Sequence, residues 1–161
     1  MIQRVQTIYL LLASILTGLT AWFELAIYYS GEQEIFRYGL FGNRSTSDGE
    51  LFVPGNWMVQ VVIVALSTLL ALFIIFKFKN RKLQIKLGQF NYLLLVAIIL
   101  SVYFSVKNLI NLLPLNDFEN VRAVYWIGFY MPVAAIAFQF LANRGIKKDE
   151  DLVKSVERLR G

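Results

Sequence analysis

Apolar positions along this chain gather into four long runs, at about residues 5–27, 57–76, 87–106 and 123–141, with polar stretches between them. Each run is close to the roughly 20 residues that a helix rising 1.5 Å per residue needs to cross a hydrocarbon core of about 30 Å. The first holds no charge between Arg4 and Glu24, and the second holds none. The third lies between Lys86 and Lys107, the fourth between Arg122 and Arg144. A continuous run does not fit a barrel strand, whose lipid-facing residues alternate with others. Backbone amides in lipid must be satisfied within their own segment, so each run is predicted to be helical. The pattern therefore predicts an all-α membrane protein, a four-transmembrane-helix bundle forming a single domain over residues 1–161. A cleaved leader is a poorer reading of the first run, which continues through Trp22 and Phe23, past the usual length of such a segment.

The intervening stretches carry their own signals. In the outer loop 28–56, residues 34–41 and 50–53 are aromatic and β-branched, and they flank the turn-formers of 42–49. This predicts an extracytoplasmic β-hairpin. Residues 107–122 mix leucines with four asparagines and are expected to turn back through a short helix. The cytoplasmic loop spans 77–86. In the cytoplasmic tail, 142–161, Leu152, Val153, Val156 and Leu159 recur at helical spacing, which predicts an amphipathic C-terminal helix. Asp149, Glu150 and Asp151 would occupy its first turn, where they complement the helix dipole.

Composition agrees with lipid as the second solvent: 57% of residues are hydrophobic and 17% charged, against roughly 45–50% and 25% in soluble domains. The charge orients the chain. Of sixteen Lys and Arg, twelve fall at the N-terminus, in loop 77–86 and in the tail; only Arg37, Arg44, Lys107 and Arg122 fall elsewhere. Basic residues stay with the cytoplasmic loops, so both termini are expected inside. Trp22, Trp57 and Trp126 all stand at the opposite, outer ends of their runs, as an interfacial belt would. The formal charge of +5 is thus a matter of topology, and nothing arranges it for nucleic acid. There is no Cys and no His, so thiol chemistry, Fe–S ligation and the usual haem and zinc ligands are missing. No catalytic, cofactor-binding or metal-binding residue is expected.

Polar positions within the runs are few. Glu24 lies about one turn from the outer end of the first and is expected at the interface, paired with Arg122 or Lys107. Gln60, Asn91, Gln139 and Asn143 are neutral and suited to hydrogen bonds between helices. Gln139 and Asn143 share a face, and a cluster with Gln3, Arg4 and Gln6 near the inner leaflet is expected. Ser14, Thr17 and Gly18 allow close helix approach, and Pro132 should kink the fourth run. The candidate interaction and polar positions are Arg4, Glu24, Arg81, Lys82, Gln139, Asn143, Arg144, Lys147 and Lys148.

Three stretches, residues 1–10 from Met1 to Leu10, 80–86 from Asn80 to Lys86, and 143–150 from Asn143 to Glu150, resemble a family of small four-span bacterial membrane proteins, domain-of-unknown-function family 4293. The resemblance covers the whole length. It implies a bacterial inner-membrane protein and supplies no activity, so no functional residue is carried over. The expected role is a non-catalytic accessory or interaction subunit of a membrane complex, touching membrane lipid and a membrane-protein partner or a second copy. The alternative is a small transporter or channel subunit acting as an oligomer. Lipid enzymology is disfavoured, since the outward acids Glu32, Glu34, Asp48, Glu50, Asp117 and Glu119 show no catalytic or metal spacing.

Overall fold

The computed structural model describes residues 2–41, 44–45, 57–78, 80–112 and 120–160, with side chains described over 5–41, 57–78, 80–111 and 120–155. Four helices, α1 (Ile2–Leu19), α2 (Trp57–Phe76), α3 (Arg81–Leu112) and α4 (Ile127–Arg160), alternate in direction along the chain. Each packs on its sequence neighbour, and α1 packs on α4 to close the ring. The strands β1 (Ala26–Ser30), β2 (Gln33–Tyr38), β3 (Arg44–Ser45) and β4 (Val121–Tyr125) form one antiparallel sheet in the order β3-β2-β1-β4. The sheet covers one end of the bundle. The far end carries the continuation of α4. The protein is thus mostly helical but not all-α.

Several boundaries differ from the sequence expectation, and each has a local cause. The first run does not stay helical to residue 27. Its last turns tighten, with the Ala21 amide donating to Gly18 O at 3.1 Å and that of Trp22 to Leu19 O at 3.0 Å. The strand pairing then takes over the backbone: the Leu25 amide donates to Tyr38 O at 2.7 Å, and Leu25 O accepts from Trp126 at 2.9 Å. β1 is an inner strand of the sheet, and Leu25, Ala26, Ile27 and Tyr28 are all buried. A short buried strand and a helix end read alike in hydrophobicity alone. By the same capture, Ala123–Tyr125 belong to β4, paired with Tyr28–Ala26, and the fourth helix starts only at Ile127.

A hairpin that the sequence reading did not foresee joins β1 to β2, turning at Gly31–Glu32, where Gly31 takes φ +60°. Arg44–Ser45 does pair with Phe36–Arg37; residues 46–56, including the expected returning strand 50–53, lie outside the described residues. Of the segment expected to turn back, residues 107–112 prolong α3 through Leu112 and 121–122 open β4, while 113–119 lie outside the described residues. Nor is the tail a separate helix: α4 continues unbroken from Ile127 to Arg160, with Pro132 inside it. The basic loop is correspondingly short. Asn80 caps α3, its Oδ1 accepting the Leu83 amide at 3.1 Å, so Arg81–Lys86 are helical.

Two apolar clusters fill the bundle. Beneath the sheet lie Tyr28, Phe36, Tyr38, Val64, Leu95, Ile98, Val102 and Ala135; nearer the tail end lie Leu10, Ile74, Ala142 and Ile146. The outer surfaces of all four helices are apolar as well. Ile8, Leu11 and Ile15 are exposed on α1; Val62, Leu66, Leu69 and Phe73 on α2; Leu93, Val96, Leu100 and Phe104 on α3; and Tyr130, Val133, Phe140 and Leu141 on α4. Two helices, Trp57–Phe76 and the Arg81–Asn111 part of α3, are long and apolar enough to cross a membrane.

Candidate functional site

Polar side chains enter the bundle interior in three layers. The layer under the sheet joins strands to helices. The Tyr38 hydroxyl donates to Gln60 Oε1, and Gln60 Nε2 donates to Ser105 Oγ at 2.7 Å and to Ser101 O at 3.2 Å. The Tyr28 hydroxyl donates to Val106 O at 3.0 Å. Burial pushes both phenols above their ordinary range, so they act here as neutral donors that fix the sheet to α2 and α3.

The middle layer is a directed chain through three helices. Ser67 Oγ donates to Asn91 Oδ1 at 2.9 Å, Asn91 Nδ2 to Gln139 Oε1 at 3.0 Å, and Gln139 Nε2 to Asn143 Oδ1 at 3.0 Å. The shared face of Gln139 and Asn143 is as expected, and both meet α3. Asn143 has room because Gly88 faces it; a Cβ at Gly88 would overlap its amide. The chain ends on Asn143 Nδ2, which is buried and has no acceptor.

The third layer, toward the tail, was only half legible. Gln6 does not join the Asn91–Asn143 chain. Its Nε2 donates to Asp149 Oδ2 at 2.7 Å, and it lies against Gly145, where a Cβ would stand 2.9 Å from Gln6 Cγ. Asp149 is only 7% exposed; since α4 is continuous, there is no first turn there for it to complement. Arg81 Nη1 donates to Asp149 O at 2.9 Å, tying α3 to α4. Gln84 Nε2 caps the end of α2 by donating to Ile74 O at 2.9 Å. The side chains of Gln3 and Arg4 lie outside those described. Lys82, Arg144, Lys147 and Lys148 are exposed.

Glu24 is the remaining candidate, and its partner corrects the expectation: it is Arg37 of β2, not Arg122 or Lys107. Arg37 Nη1 reaches both Glu24 oxygens, at 3.0 and 3.3 Å, while its Nε and Nη2 hold Glu34. Hydrogen bonding by Arg37 draws the Glu34 carboxyl below its ordinary range, and the two carboxylates push the guanidinium further up. Arg122 and Lys107 instead lie over aromatic faces, those of Tyr29 at 5.8 Å and Tyr103 at 5.5 Å. Nothing in the spacing of Glu24, Glu34 and Arg37 marked this triad; it exists because β2 returns beside the end of α1. Ala21, Trp22, Phe23, Glu24, Arg37, Gly39 and Phe41 line an open cleft of about 260 Å³ there.

Among the described residues, no three carboxylates gather as a metal would require. What the geometry offers is a set of internal polar ties, an open cleft at the sheet end and a charged helical extension at the other. A comparison with curated proteins finds no match. One family model, described as a domain of unknown function (DUF4293), matches residues 2–159.

Proposed function

The chain belongs to the DUF4293 family, and from that premise we propose that it is a multi-span inner-membrane protein acting as a non-catalytic accessory subunit of a membrane complex. In this reading all four helices cross the bilayer, and the sheet and its cleft lie outside. The tail end, with both termini, lies in the cytoplasm.

The observation that carries the reading is the inverted distribution of polarity on every helix. Exposed stripes are Leu, Ile, Val and Phe, while Gln6, Gln60, Ser67, Gln84, Asn91, Gln139 and Asp149 are buried. Water would reward the opposite arrangement; hydrocarbon rewards this one, because polar groups find partners only inside. The hydroxyls of Thr17 and Thr68 fold back onto their own helices at 2.8 and 2.9 Å, as an apolar setting demands.

The accessory role rests on length. α4 has 34 residues, about 51 Å at 1.5 Å per residue, against a hydrocarbon core of about 30 Å. Its excess projects past the inner leaflet and bears Lys147 and Lys148 beside exposed Leu152 and Val153. The apolar clusters between the polar layers favour a dry bundle over a conduit. Photo-crosslinking from position 148, exposed one turn before Leu152, in native membranes tests this. A single protein partner, lost when Leu152 and Val153 become Ser, is the expected result; crosslinks to lipid alone would remove the accessory reading.

A further inference from the structure

The cleft at the sheet end is built from two kinds of surface. One wall is aromatic: Trp22, 79% exposed, and Phe41, 63% exposed, meet edge to face at 6.1 Å, with Phe23 beside them. The other is the Glu24–Arg37 pair, in which Arg37 is shared with Glu34, so two carboxylates hold one guanidinium. Glu24 keeps 30% of its side chain exposed. The cleft thus combines ring faces, an accessible carboxylate and charges of both signs.

We propose that this cleft holds the ethanolamine headgroup of a zwitterionic phospholipid in the outer leaflet. An alkylammonium is drawn to aromatic faces through the ring quadrupole. Its N–H groups can donate to Glu24, whose oxygens have lone pairs beyond those that Arg37 takes. A glycerol headgroup offers the rings no cation and brings net negative charge toward the Glu24 carboxylate. The occupant is a lipid because Trp22 and Phe41 continue the apolar surface of α1, exposed at Ile15 and Leu19, which leaves acyl chains a path beside the cleft. The 260 Å³ opening takes a headgroup and little more.

The inference rests on the membrane reading, which is tested separately: protein released from vesicles by alkaline carbonate sinks both, whereas protein that stays is fit for the following test. Native mass spectrometry of the detergent-solubilised protein would be titrated with phosphatidylethanolamine and with phosphatidylglycerol of matched chains. Wild type should retain the ethanolamine lipid about fivefold better, the ratio that about 1 kcal/mol of cation–π attraction gives. Glu24→Gln should bring the ratio close to one. Trp22→Ala, at an exposed position with little part in folding, should do the same without lowering the melting temperature. Equal retention by wild type, or a preference that survives both substitutions, overturns the proposal. Displacement of the lipid by free ethanolamine at millimolar concentration overturns the lipid as occupant and makes the cleft a site for a soluble amine.

Discussion

Gln6 and Asp149 stand 143 positions apart in the chain, yet the Gln6 amide donates to the Asp149 carboxylate at 2.7 Å, closing α1 against α4 at the tail end of the bundle. The bond matters because Asp149 is almost wholly buried. Removing its donor strands part of a buried charge, which costs about 1–3 kcal/mol. Gln6→Ala should therefore lower the thermal unfolding temperature in mild detergent by several degrees. Val5→Ala, one residue away on the exposed face, should leave it nearly unchanged. Equal effects from the two would show that the pair contributes no stability.

Gly88 and Asn143 form a second pairing, steric rather than hydrogen-bonded. Gly88→Ala should push the Asn143 amide aside and break its link to Gln139, a loss of about 0.6–2 kcal/mol if such links have their usual value between helices. Asn143→Ala clears the space, so the double variant should be more stable than the sum of the single effects implies. Gly128→Ala offers the contrast. Its Cβ would stand 2.6 Å from Glu24 O and 2.8 Å from Phe23 O, backbone atoms that no side-chain truncation can move. Detergent unfolding of the four variants checks both claims; strict additivity for positions 88 and 143 would refute the steric account.

These pairings mark what was legible in the sequence. The apolar runs located the helices, and the i, i+4 spacing of Gln139 and Asn143 placed them on one face; that this face meets Asn91 of α3 and not Gln6 came only from the packing. The strand ends were not legible. Leu25–Tyr28 are as apolar as the helix before them, and only pairing with β2 and β4 on both sides makes them a strand. Arg37 could not be matched to Glu24 for a related reason, since their approach depends on a β1–β2 turn at Gly31 that the apolar pattern does not mark. Asp149 was misplaced because a helix continuing from Ile127 has no N-terminus at residue 149.

The Arg37–Glu34 tie gives a pH dependence of definite sign. Arg37 holds the folded Glu34 carboxyl below its ordinary range, so the stabilisation is complete above the ordinary carboxylate pKa, about 4.3, and fades as pH falls through the depressed folded value. Its size should be under about 1 kcal/mol, because the pair is partly exposed and screened. Arg37→Gln should return the Glu34 titration to the ordinary range, as followed by carboxyl carbon NMR of the detergent-solubilised protein. A midpoint that does not move would assign the depression to something other than Arg37.

Topology can be read without background, because the chain has no cysteine. Glu32 sits exposed in the β1–β2 turn at the sheet end, and Lys82 and Lys148 sit exposed toward the tail. Single substitutions Glu32→Cys, Lys82→Cys and Lys148→Cys remove no buried contact, and labelling with a membrane-impermeant maleimide then reports the side on which each thiol stands. With twelve of sixteen basic residues at the tail end, translocating that end would work against the retention of Lys and Arg in the cytoplasm. Glu32→Cys should therefore label in intact spheroplasts, and the other two only after permeabilisation. Labelling of Lys82→Cys and Lys148→Cys on opposite sides would break the four-span reading, since both lie at the same end of the bundle. Labelling of all three before permeabilisation would mean that no bilayer separates the two ends. Either outcome would leave the exposed Leu, Val and Phe stripes of α1 to α4 to be covered by another protein instead of lipid.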